Sequence, residues 1–459
     1  LEICDLPSGR HYRERYDALV LSPGATPLRP PLPGIDLPGI FALRTIPDSR
    51  RIRDWIRDHQ VKQAVVVGGG FIGLEMTENL VHRGIAVTLL ELAPQVLPPL
   101  DPEMVSGVAD RLRARGVRLC LNDGVAAFAA AGDRLHVITQ AGQEHSAELV
   151  ILALGVRPEV GLAKAAGLEL GERGGLRVND QMQTSDPHIW AVGDAVEVQD
   201  FVTGQPTLIP LAGPANRQGR TAADAIAGRP VHFRGVQGTA VCGVFDLAIA
   251  STGASEKTLQ HLGLAYEKVY LYPGHHVGYF PGARPIDMKL LFSPEDGRLL
   301  GAQAVGEAGA ERRIDVVAMA IQQQATVFDL EEAELCYAPQ FGAAKDPINF
   351  AGMIAANALR GDAPLAHWDR LALDESFLLD VREVGEFERG HVAGSVNIPL
   401  GQLRDRLAEL PPQQPLYIYC QVGQRAYYAT RLLRLRGYEA YNLSGGYKTY
   451  CSHLTRLAP

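Results

Sequence analysis

The clearest pattern of hydrophobic and polar positions lies between residues 62 and 91. A short β-branched run at 64–67 reads as a buried strand. It runs into Gly68-Gly69-Gly70-Phe71-Ile72-Gly73, after which Phe71, Ile72, Leu74, Met76, Leu80 and Val81 recur at helical spacing. Gly84 stops the helix, because glycine accepts the left-handed conformation of a C′ residue. A second apolar run at 86–90 closes on Glu91. Further strands are expected at 117–121, 134–139 and 149–154, which complete a small α/β domain. Another strand is expected at 188–192, followed by a helix at 214–227 that Gly228 ends. From 231 to 360 the pattern changes to strands followed by helices, with Pro-Gly turns at 273–274 and 281–282, as in an α+β domain. Residues 361–370 read as a linker, and a separate α/β module of about 90 residues follows it.

The order strand, GxGxxG, helix, strand, acid is that of a dinucleotide site. Gly68 makes the tight turn, Gly70 lets the backbone approach a pyrophosphate, and Gly73 lets the helix pack on the strand. Phe71 and Ile72 open the helix, whose free N–H groups and dipole favour the diphosphate. Glu91 is placed to accept from a ribose 2′-hydroxyl. The following Leu92-Ala93-Pro94-Gln95 brings no cation for a 2′-phosphate, so NADH is expected rather than NADPH.

Composition narrows the classes. At 459 residues the chain has room for about three domains. A formal net charge of −8 gives no basic field for nucleic acid. The longest apolar runs are strand-sized, short of the ~20 residues a membrane span needs. Six Cys at irregular spacing, without CxxC, fit neither a disulfide framework nor a zinc ribbon, and no metal site is expected. The reading is a cytoplasmic protein. Leu1 in place of Met, followed at once by a strand and hairpin over 1–15, leads us to expect an N-terminally incomplete chain.

Three further segments acquire meaning together: Tyr16-Asp17-Ala18-Leu19-Val20-Leu21-Ser22-Pro23-Gly24-Ala25-Thr26-Pro27, the run ILALGVRP at 151–158 with its Gly155, and Thr184-Ser185-Asp186-Pro187-His188-Ile189-Trp190-Ala191-Val192-Gly193-Asp194. In this order around the nucleotide unit they resemble the flavoprotein disulfide reductases, in which one nucleotide domain is inserted into an FAD domain. The resemblance implies that Asp194, after Gly193, bonds the flavin ribityl chain. It also implies that the helix starting near Ala212 and Ala215 points its N-terminus at the flavin.

The last module carries Leu378-Leu379-Asp380-Val381-Arg382-Glu383, Gly390-His391-Val392-Ala393-Gly394-Ser395-Val396-Asn397-Ile398-Pro399 and Tyr417-Ile418-Tyr419-Cys420-Gln421-Val422-Gly423-Gln424-Arg425. These resemble a rhodanese domain. Cys420 ends an apolar strand and starts a loop that enters a helix at about 425–436. Loop N–H groups and the charge of Arg425 favour a thiolate there. The resemblance implies that Cys420 carries a persulfide. Asp380, Arg382 and His391 read as structural, as do Cys4, Cys120, Cys242, Cys336 and Cys451.

The fusion, together with Cys336-Tyr337-Ala338-Pro339-Gln340-Phe341-Gly342-Ala343-Ala344-Lys345-Asp346-Pro347, resembles the coenzyme A disulfide and persulfide reductases with a rhodanese domain. That implies an α/β protein with two nested Rossmann-like dinucleotide-binding domains, an α+β dimerisation domain and a C-terminal rhodanese domain. The expected ranges are 1–60 and 151–230 for FAD, 61–150 for NAD(P)H, 231–360 for dimerisation and 364–459 for rhodanese. The resemblance further implies a homodimer and FAD, NADH or NADPH, and coenzyme A as ligands. Tyr279 and Tyr337 would approach the thiol chemistry, Lys345 would contact CoA, and His275 with His276 would lie near its phosphates. The flavin-side GxGxxG and the redox Cys of such a reductase are expected before Leu1. Two alternatives are an NADH oxidase or peroxidase on the same scaffold, and a sulfurtransferase with a non-functional reductase half.

Overall fold

The structure, a computed structural model, describes residues 1–132 and 134–457. The last two residues of the expected rhodanese range, 458 and 459, lie outside the described residues. The chain forms two compact units, one of residues Leu1–Pro31, Phe41–Trp55 and Leu152–Gly238, the other of Leu32–Ile40, Ile56–Ile151 and Thr239–Pro459.

In the first unit, strand Leu19–Leu21 runs parallel to Ile189–Ala191, and Ala25–Pro27 pairs antiparallel with Val156–Pro158. Their apolar faces meet in a core of Leu21, Leu176, Ile189, Ala191, Val196 and Ala222. Ala222 belongs to helix Ala212–Ile226, whose first turn begins two residues earlier than expected. The hairpin Glu2–Asp5 and Arg10–Arg13 forms as the pattern predicts.

The second unit holds three layers of chemistry. Gln63–Val67, Ala86–Leu90 and Arg118–Cys120 are parallel strands, with residues 149–151 flanking the first. Helix Phe71–His82 crosses between the first two, burying Leu74 and Leu80. A three-stranded antiparallel sheet follows, and two of its strands, Val125–Ala131 and Glu144–Ala147, escape the sequence pattern. Ala-rich and His-containing runs carry too little β-branched signal to be read as strands.

The next sheet is antiparallel, in the order Ala240–Val244, Leu247–Gly253, Leu299–Gly306, Ile286–Phe292, Glu267–Leu271. Its central strand Leu299–Gly306 is buried at every position, so it shows no alternation. Helices Ala310–Gln322 and Pro347–Leu359 complete this α+β region.

The C-terminal sheet is parallel, with the order Leu365–Ala366, Ala440–Leu443, Leu416–Tyr419, Phe377–Asp380, Val396–Asn397. The expected linker at 361–370 is therefore corrected. It supplies an edge strand, and Trp368 is buried against Leu378, Tyr419 and Leu443. Its polar and proline residues mimic a linker, while the ring of Trp368 and its Nε1 donor to Gly446 O at 3.0 Å anchor it.

Candidate functional site

The nucleotide turn is built as its glycines require. Gly68 has φ of 109°, a conformation that L side chains rarely adopt, and its N–H bonds Leu90 O at 2.8 Å. A Cβ on Gly70 would meet nothing within 4 Å, so the backbone faces open space where a ligand can approach. Gly70 caps helix Phe71–His82 without a side-chain bond, which leaves first-turn N–H groups for an anion. Phe71 and Ile72 sit in this first turn and Gly73 is buried behind it. Glu91 accepts from Gly69 N at 2.6 Å and Ala93 N at 2.8 Å, one bond to each carboxylate oxygen. Each oxygen keeps a second lone pair for a ribose hydroxyl.

In the first unit a cleft of about 570 Å³ is lined by Ser22, Gly24, Arg44, Gly193, Asp194 and Ala215, among others. Gly24, Gly155 and Gly193 all have positive φ, at 74°, 97° and 82°. Arg44 donates to Asp194 Oδ2 at 3.2 Å, and the other carboxylate oxygen has no partner among the described residues. Gln218 Oε1 accepts from Gly193 N at 2.7 Å and holds the turn. The helix that starts at Ala212 has no side-chain cap at Leu211. An open carboxylate oxygen, a cation and uncapped helix N–H groups around one cleft fit a polyhydroxylated anionic cofactor, as the FAD assignment demands. Arg44 and Gln218 were not expected, since each lies far along the chain from the residue it holds.

Around the dimerisation sheet, the hydroxyls of Tyr279 and Tyr337 are 3.0 Å apart and exposed at 76% and 46%. The bond to Tyr279 raises the Tyr337 pKa. His275 Nδ1 accepts from Arg284 N at 3.0 Å and its Nε2 meets His276 Nδ1 at 2.7 Å, so both ring nitrogens are occupied within the protein. Lys345 is exposed and its ammonium has no hydrogen bond or ion pair among the described residues. It lines a cleft of about 660 Å³ together with Tyr272, Val277, Val422, Gly423 and Gln424. One cleft thus joins Lys345 to the loop after Cys420.

Cys420 ends strand Leu416–Tyr419, and its Sγ accepts from Gly423 N at 3.2 Å. Gly423 has φ of 95° and caps helix Gln424–Leu435. The residue is 1% exposed, so the thiol lies beneath its loop. Arg425 is held by both oxygens of Glu386, at 2.6 and 2.7 Å. Its pKa is raised, first by Glu386 and further by Cys420 beside it. Glu386 is held down to about 2, chiefly by its bond to Arg425. The positive charge expected of Arg425 is present beside Cys420 and is paired with Glu386. Beneath the site, Asp380 takes Arg382 Nη2 at 2.7 Å, both fully buried, and Arg382 stacks on Tyr447 at 4.3 Å. Asp380 and Arg382, expected to be structural, form this buried ion pair. Glu386 and Tyr447 were missed, because neither belongs to a contiguous motif.

A buried charge network completes this unit. Lys289 Nζ contacts Asp101 at 2.9 Å and both Glu103 and Glu256 at 2.5 Å. Lys268 bridges Glu256 at 2.7 Å and Asp369 at 2.8 Å.

Residues 3–219 match the model of pyridine nucleotide-disulphide oxidoreductases, 239–346 that family's dimerisation domain and 364–453 the rhodanese-like domain. An NADH oxidase of Methanocaldococcus jannaschii is 38% identical over 78% of this chain and 79% of its own length. The reduced CoADR-RHD of Bacillus anthracis superposes with a TM-score of 0.96 at 46% identity, covering 99% of this chain and 82% of that one. An NAD-dependent persulfide reductase of A. fulgidus gives 0.88 at 35% identity over 96% and 81% of the two chains. No helix among the described residues is long and apolar enough to cross a membrane. By its sequence matches and by the architecture of its sheets and glycine turns, the chain belongs to the pyridine nucleotide-disulphide oxidoreductase family.

Proposed function

We infer that this chain supplies the nicotinamide, flavin and CoA sites of an FAD-dependent NAD(P)H oxidoreductase that acts, through a redox Cys not among these residues, on coenzyme A disulfide, CoA persulfide or polysulfide, and that its rhodanese domain handles sulfane sulfur at Cys420. The observation that carries the reading is the single cleft shared by Lys345 and the Cys420 loop. A free ammonium at one end suits the phosphates of CoA, and the apolar walls suit a pantetheine arm that brings its sulfur to the loop at the other. CoA would then act as the carrier between the two chemistries.

FAD held in the cleft of Gly193 and Asp194 would supply two-electron hydride chemistry. The residues of the chain position the reactants. Gly68, Gly70 and Gly73 admit the pyrophosphate of the nicotinamide cofactor, and Glu91 takes its ribose. A 2′-phosphate would face that carboxylate with no cation to offset it, which favours NADH. Gly24, Gly193, Asp194 and Ala215 line the flavin cleft, and Gly155 and Ala212 belong to the same unit. Tyr279 and Tyr337 offer a shared phenolic proton to a developing thiolate, and in a homodimer assembled through residues 239–346 they would serve the partner's site. His275, tied to Arg284 and His276, orients this region and is not free to meet phosphate.

The test is anaerobic NADH oxidation by the full-length protein with CoA persulfide and CoA disulfide as acceptors. Acceptor-dependent oxidation is expected. Oxygen-dependent oxidation with no response to either acceptor would overturn the reading in favour of an NADH oxidase, the function named for the M. jannaschii relative.

A further inference from the structure

Tyr279, Tyr337 and Lys345 stand on irregular backbone. Tyr279 lies between strands Glu267–Leu271 and Ile286–Phe292, and Tyr337 and Lys345 lie between helices Val327–Glu331 and Pro347–Leu359. A backbone bond ties the two loops, from Val277 N to Gly342 O at 3.1 Å. One such bond fixes a point on each loop and not its course. The hydroxyls of Tyr279 and Tyr337 nevertheless meet at 3.0 Å.

Two neighbouring arginines supply further points of attachment. Arg312 donates to Cys336 O at 3.3 Å, directly before Tyr337, and to Phe341 O at 3.1 Å further along the same loop. Arg313 donates to both oxygens of Asp346, at 3.2 and 2.8 Å, directly after Lys345. The same guanidinium reaches His275 O at 2.9 Å, at the start of the Tyr279 loop, and Gly309 O at 3.3 Å. Adjacent side chains of one helix thus hold both loops to a common reference. Arg313 and Asp346 are fully buried, and Asp346 caps helix Pro347–Leu359, so this anchor is fixed on both sides.

Helix Ala310–Gln322 gives no local reason for these cations. They are its third and fourth residues, where the macrodipole disfavours positive charge. A local rule broken in this way marks side chains retained for what they reach. Arg312 bonds only carbonyl oxygens and no carboxylate among the described residues. A planar fork that meets two carbonyls fixes direction as well as distance, which a lysine ammonium does not.

We propose that Arg312 and Arg313 are positioning residues for the thiol chemistry: together they set the Tyr279 and Tyr337 hydroxyls against each other and place Lys345 on the wall of its cleft. The proposal rests on the reading of the two tyrosines as proton donors at the thiol site and of Lys345 as a CoA contact. Neither arginine lines the cleft of Lys345, so each acts on substrate through the loop it holds.

The test reads the geometry apart from the reaction. Tyr279 and Tyr337 are exposed and adjacent, so brief one-electron oxidation of the full chain should join them as dityrosine, counted by mass spectrometry as the cross-linked peptide. Arg312→Gln is expected to lower that yield by more than half with the thermal midpoint nearly unmoved, and Arg312→Lys to restore little of it. In the full-length protein Arg312→Gln should lower kcat with CoA persulfide about tenfold at nearly constant KM, within what a small misplacement of a reacting group costs. Arg313→Lys should raise KM as well, because Lys345 moves with Asp346. An unchanged cross-link in both Arg312 variants would overturn the clamp, whatever the activity. A lowered cross-link with kcat and KM unaltered, while Tyr337→Phe impairs kcat, would overturn the positioning role and leave the reading of the tyrosines standing. Tyr337→Phe at full kcat would overturn that reading and the proposal with it.

Discussion

Gly446 lies under the Cys420 loop with φ of 60°, and a Cβ there would press on Cys420 O and come within 2.9 Å of Gly423 N. Gly446→Ala is therefore expected to displace the N–H that points at Sγ. Cys420 persulfidation should fall at least tenfold, and the cost in stability should be about 1–3 kcal/mol, read as a lowered thermal midpoint. NADH binding at Gly68 should be untouched, as titration of nucleotide fluorescence will show. A second residue-scale expectation concerns Glu91. Glu91→Gln removes the charge that opposes a 2′-phosphate, and the ratio of NADPH to NADH affinity should rise by about tenfold, equivalent to ~1.4 kcal/mol. These residues were legible because their chemistry is local: the nucleotide turn lies within one strand-turn-helix, and Cys420 ends an apolar strand. Arg44, Gln218 and Glu386 were not. Glu386 stands 39 positions from the arginine it pairs with, and nothing in the pattern of either segment announces the other.

At the scale of elements, the Glu386–Arg425 pair joins helix Val384–Arg389 to helix Gln424–Leu435. The carboxyl is held at about 2 against an ordinary 4.5. Its contribution to stability is full above pH 4.5 and is lost as pH falls toward 2, because the unfolded chain takes up the proton first. Glu386→Gln should flatten the fall of the urea midpoint between those two values. The ring of carboxylates around Lys289 is a stronger tie. Lys289 sits on strand Ile286–Phe292, while Asp101 and Glu103 sit at the start of helix Pro102–Ala114. Lys289→Met strips the cation from three buried acids and should destabilise by about 3–5 kcal/mol in denaturant unfolding. This tie was illegible in sequence, since 188 positions separate Lys289 from Asp101 and a buried lysine in an apolar strand reads as an interruption. The segment 361–370 misled in the opposite way. Its polar residues look like a tether, yet His367 bonds Glu267 at 2.7 Å and Asp369 bonds Lys268.

Within the larger unit, the rhodanese sheet is therefore docked on the dimerisation sheet and not tethered to it. Ser444 Oγ accepts from Tyr270 N at 3.0 Å, Tyr272 and Thr449 share a hydroxyl bond at 2.6 Å, and Lys448 pairs with Asp287 at 2.5 Å. The two sheets should melt in one calorimetric transition; two separated transitions would count against rigid docking. If the domains hold still, it is the carrier in the cleft that must move, so sulfur delivery should depend on the reach of the pantetheine arm.

Asp101, Glu103 and Glu256 converge as three carboxylates around a divalent cation would, all within 4.8 Å of one another. The centre of that cage holds the ammonium of Lys289. The junction carries its counter-ion on its own backbone, and such an ion cannot be stripped by a chelator, exchanged for a competing metal or limited by supply. Overnight dialysis against EDTA should leave the melting temperature where it was. The junction thus has its structural cation in a form that soft ligands cannot extract.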